Sequence, residues 1–346
     1  MSPGDDDGLA VDASVSPSDG DDGEATDATA ATPHGYIGAY KSPTIVRDGS
    51  TYHAYFAADR VAGSHRAVPH ATFTADGNWH FEGDALPHLG AQAVDNEFVW
   101  APAVAKISAD RWMLYYTAHL AGTVSKMCIW RAHATSPDGP FVDDYAGPLV
   151  CPNGTQWAID AYVVKDGHGN WNLAVRYDLP GGINTIQLRE LGPQGGAFAP
   201  GSEWSELVRN SPSSWEQPVL ENAGIVRLTP PNGAAHWFVF YSGGAWDDNS
   251  YAIGYADCGP SIKGPCTKKT PNGPWLATDP SRKLYGPGTP TFYTSQSGKM
   301  LMSIQAWEFS GGKANDKNAK GQIMRTYAIS VGDNYKPHVT LVRVDR

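Results

Sequence analysis

Short runs of aromatic and β-branched residues recur along this chain, broken by clusters of glycine and proline, while the three-to-four-residue spacing of an amphipathic helix is scarce. Five of the runs are alike: TYHAYFA from Thr51, WMLYYTA from Trp112, WNLAVRY from Trp171, HWFVFYS from His236 and MLMSIQAW from Met300. Their starts lie 61, 59, 65 and 64 residues apart. Each follows a shorter apolar run and a turn: SPTIVRDGS, APAVAKISADR, DAYVVKDGHGN, NAGIVRLTPPNG and TPTFYTSQSGK. Such composition favours strands, and five copies of strand, turn and stronger strand predict five β-units. A unit of this length holds about four short antiparallel strands, the size of a propeller blade. The predicted fold is therefore all-β, a five-bladed β-propeller over residues 34–346. A large β-sandwich is the alternative, but it gives no reason for the period.

Residues 1–33 break the pattern. They are built from Asp, Ser, Ala, Gly, Thr and Pro, with no aromatic residue to bury, and read as a disordered acidic tether. The tether changes the reading of the charge. Of 36 acids, nine (Asp5, Asp6, Asp7, Asp12, Asp19, Asp21, Asp22, Glu24 and Asp27) precede His34, leaving 27 against 26 bases in the remainder. A near-neutral domain has no basic excess to attract nucleic acid or anionic lipid. No apolar run approaches the roughly 20 residues that cross a bilayer, so membrane insertion is not expected, and a monomer is. The four cysteines pair naturally by position, Cys258 with Cys266 across CGPSIKGPC and Cys128 with Cys151, with four buried thiols as the alternative. Bridges would place the protein in an oxidising compartment, secreted or tethered at the cell surface, although no export signal stands at the start of the sequence.

In a propeller the innermost strand of each blade lines the axis, so the residues opening those strands converge from distant parts of the chain. The openings are Ser42-Pro43, Trp100-Ala101-Pro102, Asp160-Ala161, Glu221-Asn222-Ala223 and Gly288-Thr289-Pro290. Two carry carboxyl groups, on blades three and four. Cleavage of a glycosidic bond with inversion needs one carboxyl to protonate the leaving oxygen and another to activate water, about 6.5–9.5 Å away. Glu221 is the expected donor, and Asp160 the neighbouring charge that tunes it. Trp100, Trp157 and Trp246, near the channel mouth, offer flat faces on which sugar rings stack, with ordinary packing between blades as the alternative for each. Other chemistries find no support: His119, His133 and His236 lack metal-ligand spacing, and there is neither a G-x-S-x-G elbow nor a phosphate-cradling loop.

The motifs carry a family resemblance. VWAPAV with LYYTA, CIWRAHATSPDGPF, AIDAYVVKDGHGNWNL, VLENAGIV, YAIGYADCGPSIKGPCTK and GPGTPTF, in that order between His34 and Trp307, resemble glycoside hydrolase family 43. That family comprises five-bladed propellers acting on arabinose- and xylose-containing polysaccharides. The resemblance implies a poly- or oligosaccharide substrate, inverting hydrolysis of the α-L-arabinofuranosidase kind as first choice, Glu221 as general acid and Asp160 as the residue that adjusts its pKa.

It also exposes a departure, because the family's general base is an Asp before proline in the first blade and this chain has Ser42 there. A serine hydroxyl does not accept a proton from water near neutral pH. Three explanations stand: another carboxylate serves, Asp59 first and Asp95 or Asp247 next; the protein binds sugar without cleaving it; or the substitution disarms an otherwise competent site. Smaller departures are Ala161 and Ala223 where prolines are common, leaving the backbone angles there open. Gln305 stands where the family often has a histidine beside an axial ion or water, and it counts here as a substrate-binding candidate. No cofactor is expected, and an axial calcium would rest on water or carbonyl oxygens rather than on Gln305.

Overall fold

The computed structural model describes residues 36–346 other than 37, 76, 95–97, 124, 155 and 316–320; the acidic segment 1–33 and Asp95 therefore lie outside the described residues. Strands carry the chain in five successive sheets. Blade one holds β1 (Thr44–Asp48), β2 (Thr51–Tyr55), β5 (Pro69–Phe73) and β6 (Trp79–Asp84), with a small hairpin of β3 (Asp59–Val61) and β4 (Ser64–Arg66) inserted. Blade two holds β8 (Trp100–Ser108), β9 (Arg111–Leu120) and β10 (Met127–Ala134), with β7 (Ala93–Val94) on the far end of β9. Its outer edge is reduced to single bridges from Val142 and Val150. Blade three is β11 (Ala158–Lys165), β12 (Trp171–Leu179), β13 (Ile183–Glu190) and β14 (Ser205–Arg209). Blade four is β15 (Leu220–Leu228), β16 (His236–Gly243), β17 (Ala252–Asp257) and β18 (Thr267–Lys268). Blade five is β19 (Tyr285–Thr294), β20 (Met300–Trp307), β21 (Gln322–Val331) and β22 (Pro337–Asp345). All neighbours within a blade are antiparallel, and the inner strands meet in the cyclic order β1, β8, β11, β15, β19 and back to β1. This is the five-bladed propeller that the period predicts.

The strong runs are the second strands, and their near-continuous apolarity has a simple cause. Each is covered on both faces by neighbouring blades, so both sets of alternating side chains are buried. In β9, Trp112, Leu114, Tyr116 and Ala118 pack towards blade one with Tyr55 and Leu86, whereas Met113 and Tyr115 pack towards blade three with Leu173 and Val175. The same division in β16 sends Phe238 and Phe240 to blade five and Trp237, Val239 and Tyr241 to blade three.

Among the described residues every blade is made from one contiguous stretch of chain, and no strand is exchanged to lock the last blade to the first. The joint is held by side chains and isolated hydrogen bonds instead. Tyr36, Tyr40 and Phe56 pack with Met324, the Tyr40 N–H donates to the Gln322 carbonyl at 3.3 Å, and the Gln296 N–H donates to the Tyr52 hydroxyl at 2.8 Å. Both cysteine pairs are bonded, Cys128 to Cys151 and Cys258 to Cys266. The first closes a loop of 23 residues against β10, a constraint worth about 3 kcal/mol, in the part of blade two that lacks a full outer strand. Two formed bridges fit an oxidising compartment outside the cytoplasm.

Candidate active site

A feature of the inner strands shapes everything at the axis. Ser42, Ala101, Asp160, Asn222 and Thr289, one from each blade, have φ of 44, 42, 58, 51 and 52°. Left-handed backbone is rare for residues other than glycine. In the inner strands of blades two to five it coincides with slips of register, between Trp100 and Ala103, Ile159 and Tyr162, Glu221 and Gly224, and Gly288 and Thr291. A bulge re-aims side chains and ends regular pairing, here four times around one axis. Asp160 and Asn222 take this conformation although alanine follows them, so the missing prolines leave the backbone unaltered. The repeat also refines the alignment of blades: Asn222, not Glu221, is the counterpart of Ser42 and Asp160, and Glu221 occupies the place that Trp100 holds in blade two.

Above these residues opens a cleft of about 560 Å³. Ser42, Trp100, Trp157, Asp160, Glu221, Trp246 and Gln305 all line it. Trp100 and Trp157 stand 6.0 Å apart at 59°, and Phe98 lies 6.1 Å from Trp100 on its other side. Trp246 is 44% exposed, with the Lys313 ammonium 4.7 Å over its ring and its carbonyl accepting from Trp307 Nε1. The walls are thus flat and aromatic.

The floor is polar. Arg176 Nη1 donates to Glu221 Oε2 at 2.6 Å and the Tyr251 hydroxyl to Glu221 Oε1 at 2.8 Å, so both carboxyl oxygens already accept. Asp160 lies beside this pair: its Oδ2 accepts from the Asn222 N–H at 3.3 Å, and its own N–H donates to Thr117 Oγ1 at 3.1 Å. Burial, reinforced by the charge of Glu221, raises the Asp160 pKa well above its ordinary value. Burial and Glu221 likewise raise Tyr251, which keeps its phenol a donor. Burial opposes the Arg176 charge, but Glu221, Asp178 and Asp160 outweigh it and its pKa rises. Asp178 Oδ1 accepts from Arg176 Nε at 3.0 Å and from Asn184 Nδ2 at 2.9 Å, which fixes the guanidinium from behind.

Arg176, Tyr251 and Asn222 were not among the residues the sequence singles out. A lone arginine in the apolar run WNLAVRY was the available signal for Arg176, since a buried guanidinium needs an anionic partner. The base side differs from expectation. Asp59 is absent from the cleft lining, and both its oxygens are engaged, one by the Ala39 N–H at 2.6 Å and the other by Lys41 Nζ at 2.9 Å. These contacts fasten the entry of the chain into blade one. Asp247 is likewise outside the lining. Among the described lining residues the only carboxylates are Asp160 and Glu221. Gln305 is occupied too, its Oε1 accepting the Ser42 N–H at 2.8 Å across the joint between blades one and five. Below, the axial channel is lined by Ser42, Thr44, Asn222, Thr289 and Thr291 among prolines and alanines, with neither carboxylate nor imidazole. That donor set does not suit a tightly held calcium.

The profile of Glycosyl hydrolases family 43 matches residues 36–324. The chain belongs to this family. The family 43 propeller recurs in the structural neighbours. A thermostable family-43 glycoside hydrolase superposes with a TM-score of 0.71 at 20% identity, over 89% of this chain and 95% of that one. An endo-1,4-beta-xylanase from Bacteroides thetaiotaomicron gives 0.69 at 20%, over 90% and 97%. An alpha-L-arabinanase from Cellvibrio cellulosa, complexed with arabinohexaose, gives 0.66 at 18%, over 88% and 96%. At these identities the likeness is one of fold. No match was found among curated proteins.

The electrostatics of this family 43 floor predict a divided result for Asp160→Asn. A carboxyl with a raised folded pKa is stabilising only while protonated. Wild-type stability therefore falls as pH rises from the ordinary value of 3.8 through the shifted one. Asparagine can still accept the Asn222 N–H but carries no charge. Asp160→Asn is expected to melt at or above wild type at pH 7, with the gap closing towards pH 4, while saccharide turnover drops. Melting curves across that range check it, and a variant that melts lower at neutral pH would contradict the sign.

Proposed function

We propose that the protein is a glycosidase of arabinose- or xylose-containing polysaccharides, α-L-arabinofuranosidase-like and inverting, with Glu221 as proton donor, Asp160 tuning it and Trp100, Trp157 and Trp246 stacking on the sugar. The observation that carries this is the meeting of Glu221 and Asp160 on the floor of one aromatic-walled cleft. Each oxygen of Glu221 accepts one hydrogen bond in the free protein, which leaves a second lone pair on each to carry the proton that is donated. The pentose preference is supported by the xylanase and arabinanase among the neighbours. The disulfides, with the acidic segment 1–33, support a secreted or surface-tethered protein.

A second reading, a propeller that binds the same saccharides without cleaving them, is favoured by one observation: among the described lining residues no carboxylate stands beside Asp160 and Glu221 to act as base, and Ser42, where the resemblance puts it, has none. Arabinan, arabinoxylan, xylan and aryl arabinofuranosides and xylosides separate the two, with NMR following the anomer first released. Inverted product, formed by wild type and lost in Glu221→Gln, is the expected result. Equal inertness of both proteins on every substrate, with binding on a glycan array, would leave the second reading.

A further inference from the structure

Away from the cleft, two histidines and an aspartate converge at the joint between blades one and two. His53 on β2 and His70 on β5 are buried, 5% and 1% exposed, with ring centroids 5.3 Å apart and planes within 5° of parallel. Tyr55 stacks on His70 with ring centroids 4.9 Å apart. Asp138, in the turn after β10, reaches the pair from blade two, its side chain 62% exposed. His53 Nδ1 stands 3.1 Å from His70 Nε2 and 3.5 Å from Asp138 Oδ1.

We infer that His53, His70 and Asp138 form a binding site for a zinc-type divalent transition metal, which pins blade two to blade one. Three features carry it. The first is spacing: the three ligand atoms lie within 4.8 Å of one another, so a cation equidistant from them sits about 2.4 Å or less from each, against roughly 2.0–2.2 Å for zinc with nitrogen and oxygen ligands. A shift of a few tenths of an ångström closes the difference, and Asp138, being exposed, can supply it. The second is donor chemistry. Two imidazoles and one carboxylate suit zinc and its neighbours rather than calcium or magnesium, which take oxygen ligands. Neutral imidazole is the ligating form. In the resting site one proton bridges the two nitrogens; on ligation it moves to the far nitrogen of its own ring, and no charge is lost.

The third feature is support. Ser136 Oγ donates to Asp138 Oδ2 at 3.1 Å, leaving Oδ1 towards His53, as outer hydrogen bonds orient metal-binding carboxylates. The turn is itself fixed to blade one: the Tyr55 hydroxyl donates to the Pro137 carbonyl at 2.6 Å and the Phe141 N–H to the Ala85 carbonyl at 2.7 Å. The exposed side of Asp138 gives the ion its way in and leaves the fourth position to water. None of the three residues lines the saccharide cleft.

The test uses the full chain, stripped with EDTA and titrated with zinc chloride by calorimetry. One equivalent is expected to bind, to raise the melting temperature, and to slow hydrogen exchange in β2, β5 and residues 134–142. Because Asp138 is exposed, Asp138→Asn should fold normally and bind at least tenfold more weakly, with His53→Gln as the second probe. Cobalt should give the visible spectrum of a four-coordinate ion in wild type and not in Asp138→Asn. Zinc bound equally by wild type and both variants would assign it to surface histidines and overturn the inference, as would the lack of a one-equivalent isotherm.

Discussion

Replacing Ser42 by aspartate is expected to raise kcat on arabinan or arabinoxylan by about 10²–10⁴, the range that a positioned general base contributes. The position is prepared for it. Ser42 lines the cleft, its N–H is held by Gln305 Oε1, and its φ of 44° lies in the left-handed region, which aspartate and asparagine tolerate better than other side chains do. The exchange therefore adds a proton acceptor without asking the backbone to move. Ser42→Asn is the control, since it has the size and backbone preference of aspartate but no basicity, and it should show no gain. Initial rates with both variants, together with the anomer of the first product, decide the matter. If Ser42→Asp and Ser42→Asn are equally slow, the cleft no longer places water opposite Glu221, and the site has been remodelled rather than disarmed.

Glu221→Gln should act in the opposite direction, lowering kcat on polysaccharide by about 10²–10⁴ in the Ser42→Asp protein, where the chemical step is fast enough to read. Glutamine keeps the shape of the side chain: its oxygen can accept from Arg176 and its amide can donate to the Tyr251 hydroxyl. Arg176 also retains Asp178, so the buried guanidinium is not orphaned and the fold should survive. What disappears is the proton for the leaving oxygen. Aryl glycosides with acidic phenols need that proton least, so they should lose much less activity than arabinan. Parallel assays on nitrophenyl and polymeric substrates give the ratio. Equal losses on both would show that Glu221 positions the sugar and does not donate.

The fold was legible because propeller geometry buries both faces of every second strand, which writes five aromatic runs at nearly constant spacing. The two carboxyl groups were legible because they open inner strands, and Ser42 stood out because the resemblance to family 43 implies an aspartate there. Finer matters were hidden by causes that sequence spacing does not record. The left-handed residue of blade four is Asn222, because the register slip falls one position beyond Glu221. Arg176 reads as part of an apolar strand until Glu221, from the next blade, is seen 2.6 Å from it. The contacts of Asp59 with Lys41 and the Ala39 N–H, at the entry of the chain into blade one, are not written in its place after β2. His53, His70 and Asp138 have no ligand spacing in sequence because they come from two facing strands and a turn of the next blade.

Among the described residues the joint between blades one and five is closed by side chains and isolated hydrogen bonds rather than by a borrowed strand, and the Ser42–Gln305 hydrogen bond runs across it. Mechanically the ring is a split washer, and the split passes through the reaction centre. Warming should spring that gap before any sheet melts, so catalytic inactivation is expected several degrees below the collapse of the far-ultraviolet circular dichroism. A covalent clasp across the gap would bring the two temperatures together.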